Sequence, residues 1–567
     1  MRSSFSMGNE NTHKIMDKWI PIDTFWSRHT SSLSFRSLAE QHDRAHQRRR
    51  RRRRKEEEMM TMPTTTTTTM VRPMMCHQSR QKWETLTAVQ KRRKGRRTRD
   101  EKKCAVSAAA AASDDAKQNA TRQEQLFAVG LGASTPSNVA TLWATSEIEN
   151  LGKRGTIATG QPFLDHMIDQ LTTHAQLGVS VQVEKEHTET ADPGNEKRKM
   201  IKCETDTAKY ASDEDAEATF TAAGEALGKA LKYMLCSEGR VGFAANGRTN
   251  GTRFAAPLDE AYASCLIEQF DSDKNGELKT FSLAPYGRRN RSHIGAYPTV
   301  YTETFFREVA KHSGLTIRLE KHRGDNAHHI VEATFKSFAR CLRKFMDEIE
   351  GNDGSETSGS DNSSSRAASR ARSTKETSID VALDLDKNGG TNGNVEISTG
   401  IETLDGLFNA LAETAEFGTF KCVASGDTWI DDHHTTEDVA ITVGQCLNEA
   451  LGNKAGCNRM GSGSASVNGS EVEVIMDLSN RPYLGYDLDF AGDSIGDLSC
   501  EMVEHLFMSV TFNGQMTVHV VTKEKGSTDK DLAEAAMRAF GTCLKQCKSI
   551  DPRRAGAVAS SKGTLSA

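Results

Sequence analysis

The stretch "WIDDHHTTEDVAI", residues 429–441, places two adjacent histidines at the start of a segment with helical spacing of apolar residues. A second block, "DNAHHIVEATFKSFA" at 325–339, repeats the histidine pair and the glutamate three residues after it. Residues three or four positions apart share a helix face, whereas direct neighbours diverge by about 100°. Glu437 is therefore near both His433 and His434 while the two rings diverge, which favours two ions held side by side over a single ion.

The two blocks belong to two similar copies of one segment. A Gly/Ser/Asp-rich stretch, 351–370, separates residues 137–350 from residues 371–567 and is expected to be a flexible linker. Short blocks of the two copies align, such as "FLDHMIDQL" with "TLDGLFNAL" and "VEATFKSFARCL" with "AEAAMRAFGTCL". A fainter repeat inside each copy, in which a histidine of an early helix precedes HHxxE in a later one, predicts four half-units along the chain.

Local patterns predict strands and helices within these half-units. The segment "DVALDLDKNGGTNGNVEIS", 380–398, alternates apolar and polar residues around Asn-Gly and predicts a β-hairpin. Apolar residues at helical spacing predict helices at 403–414 and 438–451. The segment "DSDKNGELKTFS", 271–282, resembles a calcium-binding EF-hand loop, but Ser282 stands where a bidentate glutamate is required, so a turn is expected instead.

Composition sets the N-terminal region apart. Residues 1–130 are low in complexity, with an arginine run at Arg48–Arg54, and are expected to be mostly disordered. Their Arg, Ser and Thr content is typical of an organelle transit peptide, which predicts a plastid location. Glu56–Glu58 argue against a transit peptide. A cytoplasmic location therefore stays open, and a nuclear-localisation or nucleic-acid-binding patch is the alternative for the arginine run.

Charge, hydropathy and cysteine content indicate which partners and which compartment to expect. A formal net charge of -4 gives no overall bias toward nucleic acid or membrane partners. No window has the roughly 18 consecutive apolar residues of a membrane-spanning helix. The 12 cysteines contain no CxxC pair, which indicates reduced thiols in an intracellular compartment.

Imidazole and carboxylate ligands without thiolate favour Mn, Fe, Co, Ni or Zn over Ca or Mg. A histidine pair followed by a glutamate can also be a solvated first helical turn, in which Asp431 and Asp432 complement the helix dipole. Two such blocks, together with lone histidines in matching helices, favour metal ligands.

Six motifs carry a resemblance to imidazoleglycerol-phosphate dehydratase, the dehydratase of histidine biosynthesis: "FLDHM", "DDHHTTED", "RPYLGYDL", "VEHLF", "NAHHIVEATFKSFAR" and "DPRRAGAVASSKG". The resemblance covers almost all of 140–567, in two copies where the family has one. It implies an α+β protein of two tandem dehydratase-like domains, each with two similar βα half-units whose sheet is covered by helices (ribosomal protein S5 domain 2-like). It also implies a lyase that converts D-erythro-imidazole glycerol phosphate to imidazole acetol phosphate in L-histidine biosynthesis.

The resemblance further implies two Mn²⁺ ions, whose ligands are divided between the copies. The residues that match the family's ligands are His166, His328, His329 and Glu332 in copy one and His433, His434, Glu437 and His505 in copy two. The positions where the family has histidine and this chain does not are Tyr210, Ala211, Thr304, Gly406, Lys530 and Asp531. Because each copy keeps what the other has lost, we expect one shared site per chain and a second, dead interface. Because members of the family assemble from about 24 single-copy subunits, the resemblance implies a homo-oligomer with shared sites, of about twelve two-copy chains.

The family's acid/base glutamate matches Glu376 in "RSTKET" fully and Glu147 in "WATSEI" in part; either could also be a surface charge. The residues that match substrate and phosphate contacts are Gln170, Lys336, Arg459, Arg481, Ser560, Ser561 and Lys562. Two rival functions are a catalytically dead metal-binding homologue with an assembly or regulatory role, and a nucleic-acid-binding protein. The complete ligand set argues against the first. The second is opposed because the folded region lacks a basic stripe, and neither a nucleic-acid nor a membrane partner is expected.

Overall fold

The structure, a computed structural model, describes residues 129–132, 142–150, 155–190, 196–202, 213–236, 251–349, 366–386, 393–554 and 556–565. The N-terminal region predicted to be disordered, 1–130, lies outside these residues except for the start of the first strand. The described part contains sheets covered by helices in two domains, and the predicted α+β class is confirmed.

Four units, two in each copy, share a common core of four strands and two helices, to which three of the units add one or two further strands. Two antiparallel strands are followed by a third strand, a helix, a fourth strand and a second helix. The fourth strand lies between the second and the third in the sheet, antiparallel to the second and parallel to the third. The helix between the third and fourth strands makes this parallel pairing possible, because it carries the chain back to the start of the sheet.

Units 1 and 2 form copy one. Unit 1 comprises β1 (Val129–Gly132), β2 (Leu142–Asn150), β3 (Ile157–Ala158), α1 (Pro162–Gln170), β4 (Leu177–Thr190), β5 (Glu196–Lys202) and α2 (Asp213–Cys236). Unit 2 comprises β6 (Thr252–Leu258), β7 (Ala261–Phe270), β8 (Glu277–Ser282), β9 (His293–Ile294), β10 (Tyr297–Pro298), α3 (Tyr301–Ser313), β11 (Leu315–Arg323) and α4 (Ala327–Ile349). A π-helical turn, Leu171–Ala175, extends α1.

Units 3 and 4 form copy two. Unit 3 comprises β12 (Ala367–Ser373), β13 (Thr377–Asp384), β14 (Asn394–Ser398), α5 (Glu402–Ala415), β15 (Thr419–Gly426) and α6 (His433–Leu451). Unit 4 comprises β16 (Met460–Val467), β17 (Ser470–Asp477), β18 (Tyr483–Tyr486), β19 (Ser494–Ile495), β20 (Leu498–Ser499), α7 (Cys500–Asn513), β21 (Thr517–Glu524) and α8 (Asp529–Lys548). A short 3-10 helix, Pro552–Arg554, follows α8.

The hairpin predicted at 380–398 is wrong. Residues of this segment form β13 and β14, but β13 pairs with β12 and β15, whereas β14 pairs in parallel with β15 at the sheet edge. Alternation identifies a strand without identifying its partner, and here α5 returns the chain so that β15 lies between the two strands. The helices predicted at 403–414 and 438–451 are confirmed as α5 and α6, and α6 begins earlier, at His433.

The turn predicted at 271–282 is confirmed, whereas the end of the predicted linker is part of a strand. The stretch 271–282 forms a turn followed by β8, and the Asp271 carboxylate accepts hydrogen bonds from the backbone N–H groups of Asp273 and Lys274. Residues 367–370, the end of the stretch expected to be a linker, already pair with β13 as part of β12.

Helices of the two units in each copy pack on each other, so that each copy has the layers sheet, helix, helix and sheet. In copy one, α1 packs on α4 and α2 on α3; in copy two, α5 packs on α8 and α6 on α7. Each pair joins a helix from the first unit to a helix from the second. Within the described residues, each copy has its own large buried apolar cluster, built from these helices and the inner faces of the strands, and Met460 of copy two joins the cluster of copy one. The four helix pairs are the positions at which side chains of two units meet.

The copies contact each other through their second units. Ala255 and Tyr262 of copy one form a small buried apolar cluster with Ile475 and Val521 of copy two. Four ion pairs also join the copies, namely Arg253 with Glu473, Arg323 with Asp487, Arg481 with Asp259 and Arg553 with Asp347. The sheets of units 2 and 4 thus form a joint in which residues of one copy approach functional positions of the other. None of the described helices is long and apolar enough to cross a membrane.

Candidate metal centre

The first cluster of candidate ligands, the copy-one cluster, lies where α1 packs on α4. It consists of His166 on α1 and of His328 and Glu332 on α4, and one ligand atom from each lies within 4.8 Å of the others. The Glu332 Oε2 atom is 3.0 Å from His328 Nε2 and 3.8 Å from His166 Nε2. His328 and Glu332 are four residues apart and therefore share a helix face. The third group, His166, reaches the cluster only because α1 packs on α4.

The charge state of Glu332 suits a cation ligand. Burial by itself would raise the pKa of this carboxyl group, but the charge of Lys336 and the hydrogen bonds from His166, His328 and Lys336 hold it well below its usual range. The Lys336 Nζ atom lies 2.8 Å from Glu332 Oε1. The carboxylate is consequently ionised at neutral pH and can bind a metal ion without first losing a proton.

The second cluster, the copy-two cluster, lies where α6 packs on α7. It consists of His433 and Glu437 on α6 and of His505 on α7. The Glu437 carboxylate places Oε2 3.6 Å from His433 Nε2 and Oε1 3.3 Å from His505 Nε2. His505 Nε2 is buried and makes no hydrogen bond within the described part of the chain. A buried ring nitrogen with no hydrogen-bond partner, aimed at a carboxylate and a second imidazole, fits a bound divalent ion of the type that prefers nitrogen and oxygen ligands.

Two predicted ligands lie next to the clusters and point elsewhere. His329 Nδ1 is 2.7 Å from Glu260 Oε2, and His434 Nδ1 is 3.1 Å from Asp427 Oδ2. In each case the hydrogen bond to the carboxylate, opposed by desolvation, raises the histidine pKa. A carboxylate on Nδ1 fixes the ring and leaves Nε2 as the atom that can bind a metal. Each copy therefore offers three converging ligands and one outward histidine.

Other side chains stand at the two helix pairs where the histidines of the family motifs are absent. Between α5 and α8, Arg538 binds Glu534 at 2.8 Å and Glu413 at 2.9 Å, and Gly406 has no side chain to offer. Arg538 and Glu534 occupy the positions of Lys336 and Glu332 in copy one. Between α2 and α3, Thr304 stands where His505 stands in copy two, and the side chains of Tyr210 and Ala211 lie outside the described residues. The Glu534 carboxylate at the α5–α8 pair therefore forms an ion pair with Arg538.

The turn between β12 and β13 carries the predicted acid/base residue Glu376. Thr374 Oγ1 accepts hydrogen bonds from the backbone N–H groups of Glu376 and Thr377. Arg372, at 2.8 Å, and Thr377, at 2.7 Å, both bind the Asp438 carboxylate on α6. The turn is thus attached to the helix that carries the copy-two cluster. The Glu376 side chain is exposed, and its charge contributes to the raised pKa of His434. The side chain of Glu147, the second predicted acid/base residue, lies outside the described residues.

The predicted phosphate-contact residues divide into two groups. Arg481 donates Nε to Asp259 Oδ1 at 2.8 Å, while its Nη2 atom is buried and has no hydrogen-bond partner in the described structure. Burial lowers the pKa of Arg481, but the hydrogen bond and charge of Asp259, with smaller contributions from Asp477 and Glu332, outweigh it and raise the pKa. Arg481 of copy two is therefore close to the copy-one cluster, where Lys336 and the buried Oε1 atom of Gln170 also lie.

Arg459 holds the C-terminal segment. Its guanidinium binds both oxygens of buried Asp477 at 2.7 and 2.8 Å, and its Nη1 donates to the Ala559 carbonyl oxygen at 2.6 Å. The segment that follows contains the predicted contacts Ser560, Ser561 and Lys562; Ser560 Oγ donates to the Thr564 carbonyl and accepts from the Lys562 N–H. The structure therefore gives Arg459 a positioning role, since each of its three nitrogens already donates a hydrogen bond to Asp477 or Ala559.

Four carboxylates near the clusters have no assigned role in the sequence analysis: Asp259, Glu260, Asp427 and Asp438. Asp427 and Asp438 flank the histidine pair of copy two in sequence, so the sequence itself indicates that they lie near these histidines. Asp259 and Glu260 lie about 70 residues before His329, in a turn whose composition is ordinary for a turn. Only the tertiary structure identifies them.

Comparisons with known proteins identify the family that the two copies resemble. The family model described as imidazoleglycerol-phosphate dehydratase matches the chain twice, at residues 200–342 and 399–544. An imidazoleglycerol-phosphate dehydratase of Prochlorococcus marinus (strain MIT 9211) is 40% identical over 173 residues, covering 30% of this chain and 82% of that protein. Imidazoleglycerol-phosphate dehydratase 1, chloroplastic, of Arabidopsis thaliana is 40% identical over 174 residues, covering 31% and 64%.

A solved structure of the dehydratase from Staphylococcus aureus shares 24% identity and covers 33% of this chain and 99% of that one, with a TM-score of 0.29. The two relatives match a stretch about as long as one copy, and the family model matches half of the chain in two separate stretches. The chain therefore belongs to the imidazoleglycerol-phosphate dehydratase family of enzymes, in a tandem two-copy form.

Proposed function

We propose that this protein removes water from D-erythro-imidazole glycerol phosphate to give imidazole acetol phosphate in L-histidine biosynthesis. The proposed site contains two manganese ions and takes ligands from both copies. One observation carries the proposal: six of the eight candidate ligands converge in two complementary clusters, on α1 with α4 in copy one and on α6 with α7 in copy two. If one copy were a spare that had decayed, the other copy would instead keep the complete set of ligands.

The two clusters must meet for the set of eight ligands to be complete. Within the described residues, no hydrogen bond, ion pair or ring contact joins the copy-one cluster to the copy-two cluster. We therefore propose that the copy-one cluster of one chain faces the copy-two cluster of another chain. The outward Nε2 atoms of His329 and His434 are available for such a contact. This predicts a homo-oligomer with shared sites. The family resemblance implies that it contains about twelve chains.

Bound manganese ions would act as Lewis acids that hold the substrate's imidazole ring and stabilise negative charge on it. Glu376 is the proposed acid/base group, because its turn is attached to α6 through Asp438 and presents its side chain to solvent beside His434. A carboxylate in this position can take up a proton and return it to the departing hydroxyl group. Glu147 remains the second candidate for the same role.

The substrate phosphate is proposed to bind beside the copy-one cluster. The free Nη2 donor of Arg481 and the side chains of Lys336 and Gln170 lie there, and Arg459 fixes the segment that contains Ser560, Ser561 and Lys562. Arginine and lysine donors with main-chain N–H groups are the groups that bind phosphate in proteins.

A plastid location is proposed because the N-terminal region resembles a transit peptide and the Arabidopsis relative is named chloroplastic. The cytoplasm is the alternative. Fractionation of cells that express the full chain with a C-terminal tag would decide between the two.

The proposed function is tested by turnover and metal content of the purified chain. Conversion of the imidazole substrate together with about two manganese ions per chain would support it. Manganese binding without turnover would favour the alternative, a catalytically dead metal-binding homologue with an assembly or regulatory role. A chain that binds no divalent ion would overturn both.

A further inference from the structure

The turn between β6 and β7 carries two neighbouring carboxylates, Asp259 and Glu260, that bind different functional groups. Glu260 Oε2 is 2.7 Å from Nδ1 of His329, a proposed metal ligand of copy one. Asp259 Oδ1 accepts a hydrogen bond of 2.8 Å from Nε of Arg481, a proposed phosphate-binding residue of copy two. One tight turn thus touches both halves of the proposed site.

The position of this turn is determined from both sides. The other Glu260 oxygen, Oε1, accepts a hydrogen bond of 2.9 Å from the backbone N–H of Asn326, directly before α4. The Asp259 carbonyl oxygen lies 2.9 Å from Nε2 of His519 in copy two, and Asp259 itself has a φ of 49°. Because copy one and copy two both hold the turn, a shift of either copy would move the two carboxylates.

The buried ring of His519 contacts the turn from copy two, and its protonation state fixes which atom donates the hydrogen bond. Burial, the largest cause, lowers the pKa of His519 to about 3, so the ring is neutral at physiological pH. A neutral imidazole has one N–H, and the contact of Nε2 with a carbonyl oxygen requires that N–H to be on Nε2. Nδ1 is then an acceptor, which matches its position 3.2 Å from Nη1 of Arg323.

Copy two provides a comparison within the same chain. The turn between β16 and β17 occupies the equivalent place in unit 4 and consists of Asn468 and Gly469, without a carboxylate. The α5–α8 pair of that copy has lost its histidines. Where copy two keeps a histidine pair, a different element supplies the carboxylate, since Asp427 after β15 binds His434. Carboxylates therefore accompany the retained histidines and are not a requirement of the turn.

We propose that the Asp259–Glu260 turn is a positioning element of the active site, in which Glu260 orients the metal ligand His329 and Asp259 orients the phosphate-binding guanidinium of Arg481. The inference rests on the proposed function. With Glu260 on Nδ1, the Nε2 atom of His329 would be left to bind an ion shared with the copy-two cluster of another chain. With Asp259 on Nε of Arg481, the Nη2 atom is directed toward the phosphate. Because both carboxylates belong to one turn, the distance between metal and phosphate sites across the two copies is held constant.

The test uses full-length variants and two separate binding measurements. Glu260→Ala is expected to weaken Mn²⁺ binding by about ten- to a hundredfold, as measured by competition with a chelator. Glu260→Gln is expected to recover part of the loss, because its amide oxygen can accept the Nδ1–H bond. Asp259→Ala is expected to raise the inhibition constant of inorganic phosphate by about tenfold while leaving Mn²⁺ binding unchanged.

The exposed acids Asp273 and Glu277 provide matched controls, as Asp273→Asn and Glu277→Gln, and neither is expected to change either constant. If both turn variants weaken Mn²⁺ and phosphate binding together, in proportion to their loss in melting temperature, the turn is merely structural and the inference is overturned. Unchanged binding in Glu260→Ala and Asp259→Ala also overturns it. A wild-type chain that binds no Mn²⁺ would overturn the proposed function itself, and this result is seen before any variant is measured.

Discussion

His505 Nε2 lies 3.3 Å from Glu437 Oε1, across the contact between α7 and α6. The nitrogen is buried and makes no hydrogen bond within the described part of the chain, although a carboxylate oxygen is close. The equivalent position in copy one is Thr304, on the helix pair whose histidines have been lost. The same fold position thus holds a metal-type ligand in one copy and a hydroxyl group in the other, which allows a controlled experiment within one protein.

We expect His505→Ala to reduce Mn²⁺ affinity by at least about tenfold, because one of three converging ligands is removed. Thr304→Ala is the control at the equivalent site and is expected to leave Mn²⁺ affinity unchanged. Isothermal titration with Mn²⁺ measures both. Equal affinity in the wild type and in His505→Ala would contradict the assignment of the copy-two cluster.

Sharing of the site between chains predicts complementation of inactive variants. His328→Ala removes a ligand of the copy-one cluster, His433→Ala removes one of the copy-two cluster, and each variant alone is expected to be inactive. Co-expression allows an intact copy-one cluster to meet an intact copy-two cluster of another chain. Random assembly would restore about a quarter of the wild-type turnover. No recovery in mixed oligomers would mean that each site is formed within a single chain.

The proposed acid/base role of Glu376 predicts a loss of turnover without a loss of metal. Glu376→Gln is expected to lower kcat by about a hundredfold or more, because proton transfer typically contributes that much. Mn²⁺ content and melting temperature are expected to stay at the wild-type level, since the side chain is exposed. Glu396, exposed on β14, provides the control variant Glu396→Gln. A variant with wild-type kcat would exclude Glu376 and leave Glu147 as the candidate.

Acid is expected to destabilise the folded chain through His519, which lies at the contact between the copies. Its pKa is lowered by burial to about 3 in the folded protein, and its ordinary value is 6.5. Between these values the unfolded chain binds a proton that the folded chain does not, so the contribution to stability is complete above pH 6.5 and falls as the pH falls. At pH 5 the loss amounts to about 2 kcal/mol.

This pH dependence is measured as the difference between wild type and His519→Asn in the free energy of unfolding at several pH values. The difference is expected to narrow from pH 7 to pH 5, because the variant has no group that titrates there. A difference that stays constant with pH would show that His519 is also protonated in the folded protein, contrary to its burial.

Arg459→Ala is expected to lower stability by about 3 to 5 kcal/mol, because it leaves the buried Asp477 carboxylate without its partner. Substrate KM is also expected to rise, since the Ala559 carbonyl loses its donor and the segment with Ser560 is released. Arg370 and Glu449 form an exposed ion pair, so that Arg370→Ala should change stability by about 1 kcal/mol or less. Urea unfolding and steady-state kinetics measure the two effects. An Arg459→Ala variant as stable as Arg370→Ala would contradict the positioning role.

The sequence by itself determined the repeat, and the resemblance of its motifs to the dehydratase family implied the α+β class and the full set of candidate ligands. Local patterns predicted the helices α5 and α6 and the two histidine–glutamate blocks. These features depend on residue type and on spacing over a few positions, as in the pair His433 and Glu437, which share a face of one helix. Their physical origin is local, because helix and strand geometry decides which neighbours along the chain lie together.

Only the tertiary structure decided which distant elements meet. The addition of His166 to His328 and Glu332 follows from the packing of α1 on α4, and β14 lies beyond β15 because α5 returns the chain across the sheet. The carboxylate that orients His329 comes from the β6–β7 turn, about 70 residues away. Such contacts depend on how buried helix faces and sheet faces of different units fit together, and local spacing along the chain carries no information about that fit.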